Sequence, residues 1–161
     1  MSELVKDCLS NSYRTIYKGL DAICECLNTL YNTNSGGCCY VAYCIAQLLE
    51  KDSIPFDVVV FDDFDANSLS ELDEECYHIA IRIVIDGEDY IINQGDFELD
   101  DEITIFENVT SDDLFKYYKR FKWNEIYEIF RNKFIKYVIT LLYENFTHSL
   151  RKRRSNCTSK W

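Results

Sequence analysis

The sequence predicts an α+β domain in which helices flank a small antiparallel sheet. Near both ends of the chain, apolar residues recur every three or four positions, which is typical of amphipathic helices. Between these regions, residues 77–85 alternate between two faces, and the Asp86-Gly87 pair that follows is a strong hairpin signal. A chain of 161 residues with 47% hydrophobic residues is long enough to bury the core of one domain.

The first half of the chain begins with two predicted helices. The apolar periodicity of residues 3–31 indicates one long helix, or two helices joined near Gly19. Turn-forming residues then interrupt the pattern, and a second helix is expected from Cys38 to Lys51. Small residues on one face of this helix allow close packing against a sheet, and Pro55 ends any helical continuation.

Three strands are expected after the second helix, at residues 56–61, 77–85 and 90–93, with acidic, irregular segments at 62–75 and after residue 97. A two-residue turn at Asp86-Gly87 pairs Ala80 with Asn93, which makes Asn93 the diagonal neighbour of His78. A three-residue loop would instead place Asp96 opposite His78.

The last third of the chain is expected to be helical. Thr110 or Ser111 can cap a helix that continues to about residue 122, and Asn124 can cap a long helix to about residue 146. The domain therefore divides into four segments: helical residues 1–31, a central core at 34–97, C-terminal helices at 108–148 and a basic tail at 149–161.

Composition excludes several classes of function. A net charge of −11 argues against binding of nucleic acid through a general basic surface. The N-terminal residues lack the apolar segment of a signal peptide, and no apolar run is long enough to span a membrane, so we expect a cytoplasmic protein with reduced cysteines. The single proline and the richness in Asn, Ile, Tyr and Lys are typical of an AT-rich genome, such as that of a bacteriophage.

Neither a metal ion nor a cofactor is expected. The cysteines lack the paired Cys-x-x-Cys spacing of structural zinc sites, and the acidic runs lack the ligand series of a calcium loop.

The residues with the clearest chemical potential are Cys38 and His78. Cys38 follows Gly36-Gly37 and opens a helix, where unpaired N–H groups and the helix dipole favour thiolate over thiol. His78, one of only two histidines, lies on a predicted strand. A thiol at a helix start and an imidazole on a strand are the minimum apparatus for thiol catalysis.

This arrangement resembles the transglutaminase-like branch of the papain-like cysteine enzymes. The matching residues, within 34–97, are the glycine pair before Cys38, Ala42 four residues later, Ile54-Pro55 before a strand, His78 at a strand start and Asn93 at the end of the next strand. The chain departs from the family pattern at Ser53, where the family has glycine, and at Ala80, where it often has an aromatic residue. Cys39 is an alternative nucleophile.

The resemblance implies a papain-like core and a thiol hydrolase or acyl transferase that acts on a protein, peptide or other amide. Cys38 would attack an acyl carbon, His78 would accept the thiol proton, and Asn93, or alternatively Asp96, would orient the imidazole through its Nδ1–H. The main-chain N–H of Cys38 or Cys39, with Asn34 or alternatively Asn32 as a side-chain donor, would stabilise the oxyanion. Water as acceptor gives a peptidase or amidase, and an amine gives a transferase. The alternative is a non-catalytic interaction or structural protein on the same fold, of the kind that a phage encodes.

Overall fold

A computed structural model describes residues 3–31, 37–62, 65–72, 78–95, 102–120 and 133–148 of the chain. This part of the chain has an α+β fold with four helices and one small antiparallel sheet. Its elements in chain order are α1 (Glu3–Tyr31), α2 (Cys38–Lys51), β1 (Asp57–Val60), β2 (Ile79–Ile85), β3 (Glu88–Ile92), β4 (Thr104–Phe106), α3 (Ser111–Arg120) and α4 (residues 133–148).

The sheet has the strand order β3-β2-β1-β4, and every neighbouring pair is antiparallel. In the β2–β3 hairpin, Ile85 pairs with Glu88 and Ile81 pairs with Ile92, as the two-residue turn predicts. Asp86 and Gly87 both have left-handed backbone angles, with φ of 56° and 85°. Two successive positive φ angles define the type I′ turn, for which Asp-Gly is a preferred pair.

Strand β4 is the element that the sequence failed to predict. The region after residue 97 was expected to be irregular, but Thr104–Phe106 pairs with β1 along the edge of the sheet, with Val58 opposite Phe106. Of its three side chains only Phe106 is buried, so the segment is too short and too exposed to show an alternating pattern.

The two faces of the sheet have different environments. The inner face packs against α1 and α2 and contributes eight apolar residues to the main core: Val58, Val60, Ile79, Ile81, Ile83, Ile85, Ile92 and Phe106. Helix α2 lies in the middle of this core, since ten of its fourteen residues are buried. The outer face carries a smaller apolar cluster of Val59, Phe61, Ala80 and Ile91. The predicted alternation along β2 is therefore confirmed.

Helix α1 is a single helix that runs through Gly19. Its buried stripe (Ile16, Leu20, Cys24 and Leu27) follows the predicted helical spacing and joins the main core. A Cβ on Gly19 would lie only 3.0 Å from the ring of Phe146, so the glycine allows α4 to approach α1 closely.

Helix α3 begins with a reciprocal capping interaction. The Thr110 hydroxyl oxygen accepts a hydrogen bond from the Asp113 N–H (3.3 Å), and the Asp113 carboxylate accepts one from the Thr110 N–H (3.2 Å). Of the two predicted caps, Thr110 is therefore the one used, and the structure describes the helix over Ser111–Arg120. Its predicted end near residue 122 lies outside the described residues. The predicted start of the last helix at Asn124 lies outside the described residues. Among the helices of the described ranges, none combines the length and apolarity needed to cross a membrane.

The end of α2 supplies a first testable prediction, at Ser53. The Ile54 N–H donates to the Leu49 carbonyl (2.9 Å) and the Ser53 N–H to the Glu50 carbonyl (3.0 Å), and Ser53 has a φ of 55°. This is the helix-terminating motif that favours glycine, because a Cβ is strained at positive φ. We expect Ser53→Gly to raise the free energy of unfolding in urea by about 1 kcal/mol.

The matched control is Ser53→Ala, which also removes the hydroxyl group but keeps the Cβ. If both variants change the stability equally, backbone strain at residue 53 is not the cause.

Candidate functional site

Cys38 is the first residue of α2 and is 7% exposed. The capping position is Gly37, which has no side chain to occupy the first N–H groups, and the first turn contains no acidic residue. The partial positive charge of the helix start therefore acts on the Cys38 thiol without a competing carboxylate from that turn. A helix start favours the thiolate form of a cysteine, whereas the burial of Cys38 opposes it.

The neighbouring Cys39 lies in a different environment. Its Sγ is 3.8 Å from the main-chain carbonyl oxygen of Leu114, so the thiol packs between α2 and α3. The thiol donates to this carbonyl oxygen only in its protonated form, so the contact favours the thiol over the thiolate.

His78 lies directly before β2, and its side chain is almost fully buried, with 1% exposure. Its carbonyl oxygen accepts a hydrogen bond from the Phe61 N–H (2.9 Å), so the strand pairing of β1 and β2 continues through this residue. The imidazole and the Phe61 ring have centroids 5.7 Å apart. Because side chains alternate along a strand, His78 shares the outer face with Phe61 and Ala80.

Asn93 contacts His78 through its main chain rather than its side chain. The Asn93 carbonyl oxygen lies 2.6 Å from Nε2 of His78. The resemblance implied that the Asn93 side chain would contact Nδ1 of the imidazole. The structure differs at both atoms, because the main-chain carbonyl oxygen of Asn93 contacts Nε2. The physical reason is the left-handed backbone of Asn93, with a φ of 66°, which turns its carbonyl group out of the β3 ladder.

This hydrogen bond determines the tautomer of His78. A carbonyl oxygen can only accept, so Nε2 donates and carries the proton. Burial lowers the pKa of the imidazole, and the Asn93 carbonyl, which favours the charged form, offsets that effect only in part. The ring is therefore neutral at pH 7, with its basic lone pair on Nδ1.

The Asp21 side chain of α1 binds the main-chain N–H of Asn93. Its Oδ1 accepts a hydrogen bond from the Asn93 N–H at 3.2 Å, so one residue links the Asp21 carboxylate to the carbonyl group that positions His78. Sequence reasoning missed Asp21. The sequence signal that could have identified it is its position at the border of the apolar stripe of α1. Asp21 directly follows Leu20 and lies three residues before Cys24.

The topology brings the starts of α2 and β2 and the end of β3 toward the same end of the sheet. Val60, the last residue of β1, pairs with Ile79, which directly follows His78. Ile81 pairs with Ile92, which directly precedes Asn93. His78 and Asn93 therefore lie at the end of the sheet where β1 finishes. Helix α2 is joined to β1 by residues 52–56 only, and a connection this short reverses the chain direction. The start of α2 is therefore directed toward this same end. Since α2 covers the inner face, Cys38 and His78 can meet only around the end of the sheet and not across its face.

Two other candidate residues, Asp96 and Asn34, lie outside the described residues, as do Gly36 and Ser35. In the described ranges, no three His, Cys, Asp or Glu side chains are grouped as ligands of a metal ion.

Comparison with known proteins adds no relative: no family model, no curated protein and no solved structure matches this chain.

Proposed function

We propose that this protein is a papain-like thiol hydrolase or acyl transferase in which Cys38 is the nucleophile and His78 the base. The observation that supports it most directly is the buried His78 imidazole, whose Nε2 bonds to the Asn93 carbonyl at the sheet end toward which α2 begins. In the proposed role, Asn93 fixes the orientation and tautomer of the imidazole through its main chain.

The proposed reaction begins with proton transfer. Nδ1 of His78 accepts the thiol proton of Cys38, and the sulfur forms a bond to the acyl carbon of an amide. The negative charge that develops on the carbonyl oxygen is stabilised by the N–H groups of Cys38 and Cys39, for which Gly37 provides no side-chain cap. The imidazolium then returns its proton to the leaving amine as the C–N bond breaks, which leaves a thioester. Water or a second amine attacks the thioester and releases Cys38.

The first test is the rate of iodoacetamide alkylation between pH 5.5 and 9, followed by the mass of the intact protein. An ordinary thiol with a pKa of about 8.5 is only about a tenth thiolate at pH 7.5, so activation of Cys38 should raise its rate about tenfold at that pH. We expect one fast adduct, which disappears in Cys38→Ala and slows about tenfold in His78→Ala.

Two control variants make this test specific. Cys39→Ala removes the adjacent thiol and should keep the fast adduct. His78→Gln retains a donor for the Asn93 carbonyl but has no base, so it separates the loss of proton transfer from a loss of folding. Slow alkylation of Cys38 with an ordinary pH profile, unaffected by substitution of His78, would contradict the proposal.

The second candidate function is a non-catalytic interaction or structural protein. Cys38 and His78 are 7% and 1% exposed, and His78 lies on the sheet face opposite to α2. Both features are also those of a well-packed core. The alkylation experiment separates the two candidates, because a structural cysteine gains no reactivity from His78.

A further inference from the structure

A polar cavity of about 420 Å³ lies between α1 and the edge strand β3. Tyr17, Asp21 and Glu25 form its helical wall, and Asn93 and Gln94 belong to the wall on the sheet side. The cavity therefore adjoins the residue that positions His78.

The helical wall carries two carboxylates, those of Asp21 and Glu25. Asp21 and Glu25 are one helical turn apart, and in the described part of the chain neither forms an ion pair with Lys or Arg. Burial raises the pKa of the Asp21 carboxyl, and the charge of Glu25 raises it further, while the Asn93 N–H opposes both. A bound cation would relieve this repulsion.

The opposite wall contains Asn93, whose side-chain amide is buried. Asn93 is 3% exposed, and its side-chain Nδ2 makes no hydrogen bond within the described residues. A buried amide N–H₂ group is costly unless an acceptor satisfies it. Asn93 lines the cavity, so a rotation of its side chain would let Nδ2 donate to a ligand oxygen there.

We propose that this cavity binds a basic residue of a peptide substrate, with the cationic side chain at Asp21 and Glu25 and a peptide carbonyl oxygen at Asn93 Nδ2. The assignment as a substrate subsite rests on the proposed thiol chemistry, whereas the binding itself does not require it. A guanidinium group suits this pair of carboxylates because its N–H groups point in several directions within one plane. It can therefore donate hydrogen bonds to both carboxylates at once.

The test uses ¹⁵N-labelled full-length Cys38→Ala, in which turnover is impossible, titrated with Nα-acetyl-arginine amide. The neutral comparison is Nα-acetyl-citrulline amide, which has nearly the same shape. We expect the arginine compound to shift the amide signals of Asn93, Gln94 and Gly95 saturably, and the citrulline compound to bind at least about fivefold more weakly.

Glu25→Gln is the informative variant, because Asp21 also holds the Asn93 backbone. It should weaken binding of the arginine compound about threefold to fivefold, the modest effect expected of a carboxylate that is exposed to solvent. Glu102→Gln makes the same charge change at an exposed residue outside the cavity lining and should leave the affinity unchanged.

Absence of saturable shifts, equal affinity for the two compounds, or an unaffected Glu25→Gln variant would each overturn the cavity assignment. Saturable arginine binding to a protein whose Cys38 alkylates as an ordinary thiol would support the cavity and contradict the thiol chemistry. The two proposals can therefore fail separately.

Discussion

Leu49→Ala should lower the free energy of unfolding by about 3–5 kcal/mol, the range seen when a buried leucine is truncated at a site that cannot collapse. Leu49 is fully buried in α2, within the main core that α1, α2 and the inner sheet face share. Neighbours on several sides limit how far the structure can relax into the cavity. Urea denaturation followed by far-UV circular dichroism measures the change.

The matched control is Leu141→Ala, which makes the same chemical change on α4 at a side chain that is 43% exposed. We expect it to alter stability by less than about 0.5 kcal/mol. Similar losses in both variants would mean that α2 is not the centre of the core. Because α2 also carries Cys38, alkylation of the Leu49→Ala variant shows whether loosening this helix alters the thiol environment.

The parts of the fold that the sequence predicted are those determined by local chemistry. Asp86-Gly87 specifies a two-residue turn, and that turn determines the whole register of the β2–β3 hairpin. Helix α2 was predicted over its full length because a glycine pair precedes it and Pro55 follows it. Strand β4 depends instead on pairing with β1, more than forty residues earlier, and three residues with one buried side chain leave no local signal.

The candidate site likewise contains residues that the sequence could identify and contacts that it could not. Cys38 and His78 could be selected from the sequence because a thiol after two glycines and a histidine on a strand are visible as residue types. The contact of His78 with the Asn93 carbonyl could not be predicted, since every residue has a carbonyl and only the φ angle of 66° directs this one. Asp21 contributes from α1, 72 residues before Asn93, and no local pattern connects them. The catalytic roles themselves stay predictions.

Acidification below about pH 6.5 should destabilise this protein more steeply than its His78→Gln variant. Burial holds the pKa of His78 below its ordinary value of 6.5, so at lower pH the unfolded chain binds a proton that the folded protein resists. The stabilisation is fully present above pH 6.5 and is lost as the pH falls from there toward the folded-state pKa. One proton corresponds to a slope of at most about 1.4 kcal/mol per pH unit. Urea unfolding at half-unit intervals from pH 7.5 to 4.5 measures this slope.

The difference between the two proteins isolates the effect of His78, because the carboxylates that also bind protons as the pH falls are common to both. One of them is Asp21, whose pKa is raised by burial. The glutamine side chain of the His78→Gln variant can still donate to the Asn93 carbonyl, so the hydrogen bond that holds the β3 end is kept while the titration is removed. His148→Gln, at the exposed second histidine, should follow the wild-type profile. If instead the wild type and His78→Gln lose stability in parallel, the pKa of His78 is the same in the folded and the unfolded protein. Burial would then not hold the imidazole neutral below pH 6.5, and the environment assigned to His78 would be wrong.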